Sequence, residues 1–221
     1  MRKTFFNKNF ALGCLTLFVA AMEIICIAVY PTEFSASNLV YYTVLSNICA
    51  LLCCVFVSVR AFQNKIGNFE NDLMFWTTCL TTFTLTVCLI GGAFMPGGYK
   101  QLFFSGTGFF CHFLCPVSMI AILIAFVPKE KSKTGIYASI CTTTLYGTTM
   151  YFLNAFGRLT GPYFFFEARR LSALKCIVYA ASLVSLSVIT TLILHLCRKA
   201  KVDDKTKTTD FKTNPQTTIL P

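Results

Sequence analysis

The sequence predicts an all-α, polytopic membrane protein with six transmembrane helices and both termini in the cytoplasm. Of its 221 residues, 55% are hydrophobic and 13% are charged, whereas soluble domains carry about 25% charged residues. Apolar runs of about 20 residues, the length that crosses a bilayer as a helix, recur along the chain. These two features exclude a water-soluble globular protein.

The apolar runs define a single transmembrane domain, residues 1–201, followed by a tail, residues 202–221. Pro31 and Pro128 mark the ends of two of the helices, because proline interrupts helical hydrogen bonding. The tail is polar and rich in Lys and Thr, so we expect it to be disordered. The predicted spans are 10–30, 40–62, 73–94, 103–127, 135–156 and 172–197.

The distribution of Lys and Arg sets the orientation of the helices, because cytoplasmic loops carry the excess of positive charge. With the N-terminus inside, 14 of the 19 basic residues lie on the inner side and 5 on the outer side. The net charge of +10 follows from this bias and from attraction to anionic lipid headgroups. It therefore does not indicate nucleic-acid binding.

All twelve cysteines lie within the predicted spans, where they behave as small apolar residues. We therefore expect no disulfide framework. Cys111 and Cys115 lie one helical turn apart beside His112, a spacing that suggests a metal site. No second cluster of ligands has comparable spacing, so packing is the favoured interpretation, and we expect neither a metal nor a cofactor.

The predicted loop at residues 157–171 contains four consecutive aromatic residues, 163–166, followed by Glu167, Arg169 and Arg170. One interpretation is an aromatic belt at the outer headgroups. The alternative is a short segment that folds over the outer mouth of the bundle.

The second predicted helix carries a polar stripe of Thr43, Ser46 and Asn47 in otherwise apolar sequence. The spacing i, i+3, i+4 places all three on one face, which we expect to point into the protein. In one interpretation the hydroxyls bond back to carbonyls of the preceding turn and Asn47 joins two helices. In the other, the stripe lines a functional pocket.

The fourth predicted helix carries His112, with Pro116 one turn later. Proline removes a backbone hydrogen bond and can kink the helix, which frees a carbonyl near His112. A neutral imidazole has a donor and an acceptor that lipid cannot satisfy. His112 is therefore either a satisfied structural histidine or part of a functional site.

The polar residues lie at similar predicted distances below the outer membrane boundary. At 1.5 Å per residue, Thr43 lies roughly 6 Å below the outer boundary, Glu23 about 10 Å and His112 about 10 to 15 Å, while Asn154 lies near the outer end of its helix. An ionisable side chain in a membrane marks a functional site by default. The sequence thus predicts a shared polar pocket that opens outward.

A hydroxyl beside an imidazole is the minimum for nucleophilic catalysis, because the base takes the proton as the oxygen attacks. Thr43 and His112 are the candidate pair, and Glu23 or Asn154 is a candidate for orienting the imidazole. The chain has no G-x-S-x-G, H-E-x-x-H or P-loop motif, so no familiar catalytic signature supports the pair.

Three motifs resemble a known family: residues 41–47 (YYTVLSN), His112-x-x-x-Pro116, and residues 161–165 (GPYFF). They resemble the prokaryotic six-helix membrane family called Pr6Pr, which is similar to the eukaryotic androgen-induced-gene and androgen-dependent tissue-factor-pathway-inhibitor-regulating proteins. Those eukaryotic proteins are six-helix threonine hydrolases that cleave esters of fatty acids with hydroxy fatty acids. The resemblance implies that Thr43 is the nucleophile and His112 the catalytic histidine.

The leading hypothesis is an intramembrane hydrolase or acyl-transfer enzyme that acts on a lipid ester. Thr43 is its nucleophile, His112 its base, and Ser46 or Asn47 the donor to the oxyanion. The alternatives are a non-catalytic protein that binds or transports a small lipid or ion through the same pocket, and a structural factor whose polar residues lock the helices together. Expected partners are membrane lipids and a fatty-acyl ester substrate, in the cell membrane.

Overall fold

The computed structural model describes residues 8–34, 38–94, 97–127, 133–160 and 163–210, and every regular element in these ranges is helical. Short 3₁₀ segments occur at Pro31–Phe34 and Phe164–Phe166, and a π-helical turn, Phe109–Leu114, leads directly into α5. The α-helices are α1 (Lys8–Val29), α2 (Tyr42–Phe62), α3 (Asn68–Gly91), α4 (Gly98–Phe104), α5 (Cys115–Phe126), α6 (Thr134–Ala155) and α7 (Ala173–Asp210).

Helix α3 is the centre of the bundle and packs against α2, α5, α6 and α7. Its Met74 and Phe75 are each 1% exposed and join a core that includes Val57 of α2 and Met119 and Leu123 of α5. Leu, Ile and Phe side chains remain exposed on the outside of α1 and α7. Apolar surfaces on the outside of a helix bundle are what a lipid environment accommodates.

Five helical segments are long and apolar enough to cross a membrane: Lys8–Val29, Tyr42–Phe62, Asn68–Gly91, Phe109–Phe126 and Ala173–Arg198. The chain is therefore a helical protein with the features of a membrane-embedded one. Helix α6 matches the fifth predicted span in position and has 22 residues, but its several threonines reduce its apolar character.

The fourth predicted span, 103–127, is not one continuous α-helix. It divides into α4, a turn at residues 105–107, and the π-helical turn that continues into α5. Gly106 has φ +54°, a left-handed conformation that glycine adopts without steric cost. The π-helical turn precedes Pro116, whose missing N–H prevents the usual bond to the carbonyl four residues earlier. The helix containing His112 thus begins close to Gly106.

Buried hydroxyls on α3 form an internal column. Thr77, Thr78 and Thr81 are fully buried, and Thr84 is 3% exposed. Each donates to a carbonyl four residues earlier, with oxygen distances from 2.6 to 3.4 Å. Such bonding satisfies a threonine hydroxyl inside an apolar helix.

The C-terminal region departs from the prediction of disorder after residue 201. Helix α7 continues to Asp210, and the sequence contains no Gly or Pro before Pro215 that would interrupt it. Residues 211–221 of the predicted tail, and the Pro128 helix end, lie outside the described residues.

All twelve cysteines are free thiols within helices.

Candidate functional site

A cavity of about 580 Å³ lies at the end of the bundle where α2 begins and α3 and α6 end. We refer to it as the outer cavity, because the sequence predicts that this end of the bundle faces outward. Aromatic and aliphatic side chains form most of its wall, including Tyr42, Phe83 and Phe166. Thr43 and His112, the two residues expected to carry catalysis, both border this cavity. A mostly apolar cavity with a few convergent polar groups is the usual form of a small-molecule site.

Thr43 is half-buried in the first turn of α2. Its hydroxyl lies 3.5 Å from the phenol oxygen of Tyr163. Tyr41, the residue at the N-cap of α2, makes no side-chain capping bond. The first backbone N–H groups of a helix have no intrahelical partner and carry partial positive charge, so Thr43 stands where a developing negative charge is stabilised.

Two tyrosines from distant parts of the chain lie at the N-terminus of α2. The backbone N–H groups of Tyr42 and Thr43 lie near the phenol oxygen of Tyr163 and favour its ionised form, which lowers its pKa. The phenol of Tyr146, on α6, donates to the carbonyl of Val40 at 2.6 Å. Burial raises the pKa of Tyr163 to about 12, against the opposing effect of its hydrogen bonds with Thr43 and Tyr42. Tyr163 is therefore a neutral phenol near neutral pH.

The aromatic segment that contains Tyr163 packs inward. Tyr163, Phe165 and Phe166 all border the outer cavity, and Phe166 is 2% exposed, with its ring 5.1 Å from that of Tyr151. These three side chains therefore contact the cavity and the inside of the bundle. The aromatic belt and the segment that folds over the mouth of the bundle both stay predictions.

His112 lies in the π-helical turn, half-buried, with its ring edge against Phe103. Its Nδ1 is 2.7 Å from the carbonyl oxygen of Leu102. A carbonyl only accepts, so Nδ1 carries the hydrogen, and in the neutral ring Nε2 carries the lone pair. Neither Glu23 nor Asn154 makes this contact: the backbone of Leu102 fixes the tautomer.

Ser46 and Asn47 are each 1% exposed and do not border the outer cavity. Ser46 donates to the Thr43 carbonyl at 3.0 Å and lies 3.0 Å from the Thr84 hydroxyl. The Asn47 amide nitrogen lies 2.8 Å from the Thr43 carbonyl and 3.3 Å from the Cys111 carbonyl. Their donors thus face the backbone, and the expected role as oxyanion donors is not supported by their position.

The bonds of Asn47 give it a different importance, because they connect the turn of Thr43 to the turn of His112. Cys111 directly precedes His112. One amide nitrogen therefore holds the backbones of the two candidate catalytic turns together, where α2 contacts the π-helical turn. The sequence predicts Asn47 as a link between helices, and the structure shows which segments it joins.

Glu23 and Asn154 lie away from the outer cavity. Glu23 is 2% exposed, is hydrogen-bonded to the thiol of Cys115, and has one oxygen, Oε2, without a partner. Asn154 donates to the carbonyl of Leu159 at 3.0 Å and accepts from the N–H of Arg169 at 3.2 Å. Neither residue borders this cavity with Thr43 and His112: Glu23 packs behind the π-helical turn, and Asn154 holds the loop after α6.

Metal-ligand geometry is absent from the part of the chain that the structure describes, where no three His, Cys, Asp or Glu side chains are arranged to hold a metal ion.

Tyr163 is the site residue that the sequence did not identify. The signal was present in the aromatic run, but its contact with Thr43 spans 120 positions.

Comparison with known proteins adds no relative: no family model, no characterised protein and no solved structure matches the chain. The resemblance drawn from the three short motifs therefore stays a prediction.

Proposed function

We propose that the chain is an intramembrane hydrolase or acyl-transfer enzyme that acts on a lipid ester, with Thr43 as nucleophile and His112 as general base. The observation that carries the proposal is that both residues border one mostly apolar cavity. An acyl chain would be accommodated by the apolar walls, with its ester near the polar groups at the start of α2. No metal or cofactor is required.

The chemical step follows from the positions of the donors and acceptors. The hydroxyl of Thr43 would lose its proton to Nε2 of His112 as its oxygen attacks the ester carbonyl. The hydrogen bond from Nδ1 to the Leu102 carbonyl would stabilise the resulting imidazolium. His112 would then protonate the leaving alkoxide, and water or a second alcohol would release the acyl group.

The donors to the oxyanion would be the backbone N–H groups in the first turn of α2, in place of Ser46 and Asn47. The phenol oxygen of Tyr163 lies near the N–H groups of Tyr42 and Thr43, which lower its pKa. A substrate oxyanion would take that position, because preorganised N–H groups at a helix N-terminus stabilise developing negative charge. Tyr163 would have to move aside or donate its own proton to the oxyanion.

For the architecture around this site we propose six spans, with α6 as the additional one and both termini in the cytoplasm. Helix α6 has 22 residues, which gives about 33 Å at 1.5 Å per residue, and it packs against α3 and α7. The bias of basic residues supports the orientation. The outer cavity would then open on the non-cytoplasmic side of the cell membrane.

The experiment is activity-based labelling of the purified protein with a fluorophosphonate probe. Wild type should be labelled, Thr43→Ala and His112→Ala should not, and Thr43→Ser should retain labelling because it keeps the hydroxyl. Ser58→Ala is the matched control, since Ser58 is a buried α2 hydroxyl that bonds to Val55 and lies away from the cavity. Full lipid-esterase activity and labelling in a folded Thr43→Ala protein would refute the proposal.

A second candidate function, transport of a small lipid or ion, is favoured by the column of buried hydroxyls on α3. Thr84 borders the outer cavity, and Thr81, Thr78 and Thr77 continue from it toward the opposite end of α3. Proton or solute flux in proteoliposomes distinguishes the two functions. Flux that Thr81→Val abolishes, together with absence of labelling at Thr43, would favour transport.

A further inference from the structure

Two buried thiols lie against each other beside the outer cavity. The sulfurs of Cys26, on α1, and Cys111, in the π-helical turn, are 4.0 Å apart, and the two residues are 1% and 2% exposed. Other core thiols have different neighbours: Cys53 and Cys54 contact the methionine sulfurs of Met74 and Met119. A disulfide bond is about 2.05 Å long, so closing the Cys26–Cys111 pair requires an approach of about 2 Å.

The two thiols differ in their access to the cavity. Cys111 borders the outer cavity, and Cys26 does not. A molecule bound in the cavity would therefore meet Cys111 first, while Cys26 lies behind it in van der Waals contact. This is the arrangement of an attacking thiol with a resolving thiol next to it.

A carboxyl group completes the cluster. Glu23 lies one turn before Cys26 on α1 and is hydrogen-bonded to Cys115, which lies one turn after Cys111. The Oε2 atom of Glu23 is buried without a partner. A buried polar atom without a partner is rare and calls for an explanation, and an ionisable side chain inside a membrane bundle marks a functional site. The nucleophilic form of a cysteine is the thiolate, and a carboxylate in the cluster can accept the proton that a thiol must lose.

We propose that Cys26 and Cys111 form a redox-active dithiol that reduces a membrane-soluble quinone bound in the outer cavity. The aromatic rings of Tyr41, Tyr163 and Phe165 border the cavity and would stack on a planar quinone ring. The apolar remainder of the wall suits a hydrophobic quinone side chain. The inference does not depend on Thr43 or His112, so it is independent of the proposed hydrolase function.

The reaction is balanced as follows. The Cys111 thiol gives its proton to the carboxylate of Glu23, and the thiolate sulfur adds to a ring carbon of the quinone. The Cys26 sulfur then attacks the Cys111 sulfur, which forms the S–S bond and breaks the S–C bond. The ring keeps the two electrons of the broken S–C bond. The two protons that the thiols lost are transferred to its two oxygen atoms, which become hydroxyl groups. One dithiol is oxidised and one quinone is reduced to quinol.

The test uses the reduced full-length protein in lipid nanodiscs with decylubiquinone under anaerobic conditions. Quinol formation is followed by absorbance, and the cysteine linkage is then identified by peptide mass spectrometry. We expect one quinol per wild-type protein, a Cys26–Cys111 disulfide, and loss of both products in Cys26→Ser and Cys111→Ser. Cys79→Ser is the control, because Cys79 is a buried thiol on α3 that does not border the cavity and should leave the reaction unchanged.

The linkage in wild type needs no variant, so the test remains decisive even if a serine variant fails to fold. Absence of quinol, a disulfide between other cysteines, or a stable quinone adduct at Cys111 or Cys88 without a disulfide would each overturn the proposal. If quinone reduction fails, fluorophosphonate labelling at Thr43 is still expected. If labelling at Thr43 fails, quinone reduction is still expected.

Discussion

The phenol oxygen of Tyr163 lies 3.5 Å from the hydroxyl of Thr43 and near the backbone N–H of the same residue. A single oxygen atom from a loop 120 positions away thus occupies the N-terminus of α2. In the proposed reaction, that position belongs to the oxygen of the substrate carbonyl. Tyr163 therefore lies at the start of the helix, and the substrate carbonyl would have to displace its phenol oxygen from that position.

Replacing Tyr163 by Phe should keep the ring packing and remove the phenol oxygen. We expect about 1 kcal/mol loss in the free energy of unfolding, the usual net value of a hydrogen bond, and faster fluorophosphonate labelling of Thr43 because its N–H groups are released. Thermal unfolding and labelling rates measure the two effects. Tyr137→Phe, at a residue 62% exposed on α6, is the control. Slower labelling of Tyr163→Phe would indicate that the phenol acts as a proton donor instead.

Replacing Asn47 by Ala should separate the turns of Thr43 and His112, because Asn47 donates to both the Thr43 and Cys111 carbonyls. Misplacement of a catalytic group by about 1 Å costs on the order of a hundredfold in rate, so we expect labelling to fall by about that factor. Gel filtration and thermal unfolding confirm that the variant is folded. Unchanged labelling in a folded Asn47→Ala protein would show that the link has no part in catalysis.

Replacing Gly108 by Ala should disturb His112 without touching it. A Cβ at position 108 would overlap the carbonyl oxygen of Leu102, which accepts from Nδ1 of His112. We expect a loss of about 3 kcal/mol in stability, at the upper end for overpacking, and a loss of labelling. Gly91→Ala is the control for stability, since a Cβ there has nothing within 4 Å. Equal unfolding temperatures for the two variants would contradict this account.

Replacing Glu70 by Ala should destabilise the start of α3. Its carboxylate accepts from Arg60 at 2.8 Å and from the Gly67 N–H at 2.9 Å, and the side chain is 5% exposed. Charge-assisted bonds of this kind contribute about 2 kcal/mol. Glu167→Ala breaks an exposed pair with Arg170 and should cost less than about 1 kcal/mol. Thermal unfolding of the two variants side by side checks the difference.

The pH dependence of Tyr163 provides a further test. Its ordinary pKa is 10.0, and burial in the folded protein raises the pKa to about 12. Between these values the unfolded chain loses the proton and the folded chain keeps it, so the contribution to stability is intact below pH 10.0 and falls as the pH rises toward 12. Phenolate absorbance of wild type minus Tyr163→Phe measures this titration. A midpoint near 10 would show that the phenol is solvated and does not cap α2.

The helices could be predicted well because hydropathy is a local property of the chain. The first, second and fifth predicted spans differ from α1, α2 and α6 by no more than two residues at either end. The third begins earlier than predicted, at Asn68, because Glu70 caps the helix together with Gly67. The fourth divides at Gly106, since a left-handed glycine turn inside an apolar run has no hydropathy signal.

The site could be predicted only in part. Depth along two helices placed Thr43 and His112 at a similar level, and the structure puts both on the wall of one cavity. The position of a residue along a helix does not determine how that helix is rotated about its axis. The rotation of α2 directs Ser46 and Asn47 into the helix interface, and that of α1 directs Glu23 toward Cys115.

By itself, the sequence determined that this chain is a helical bundle with membrane-length apolar segments, because helix formation and hydropathy depend on neighbouring residues. Only the tertiary structure decided which polar groups meet. Tyr163 reaches Thr43, Leu102 fixes His112, and Cys26 lies against Cys111 through contacts between segments far apart in the chain. Such contacts depend on how the helices rotate and pack against one another, and no local pattern encodes them.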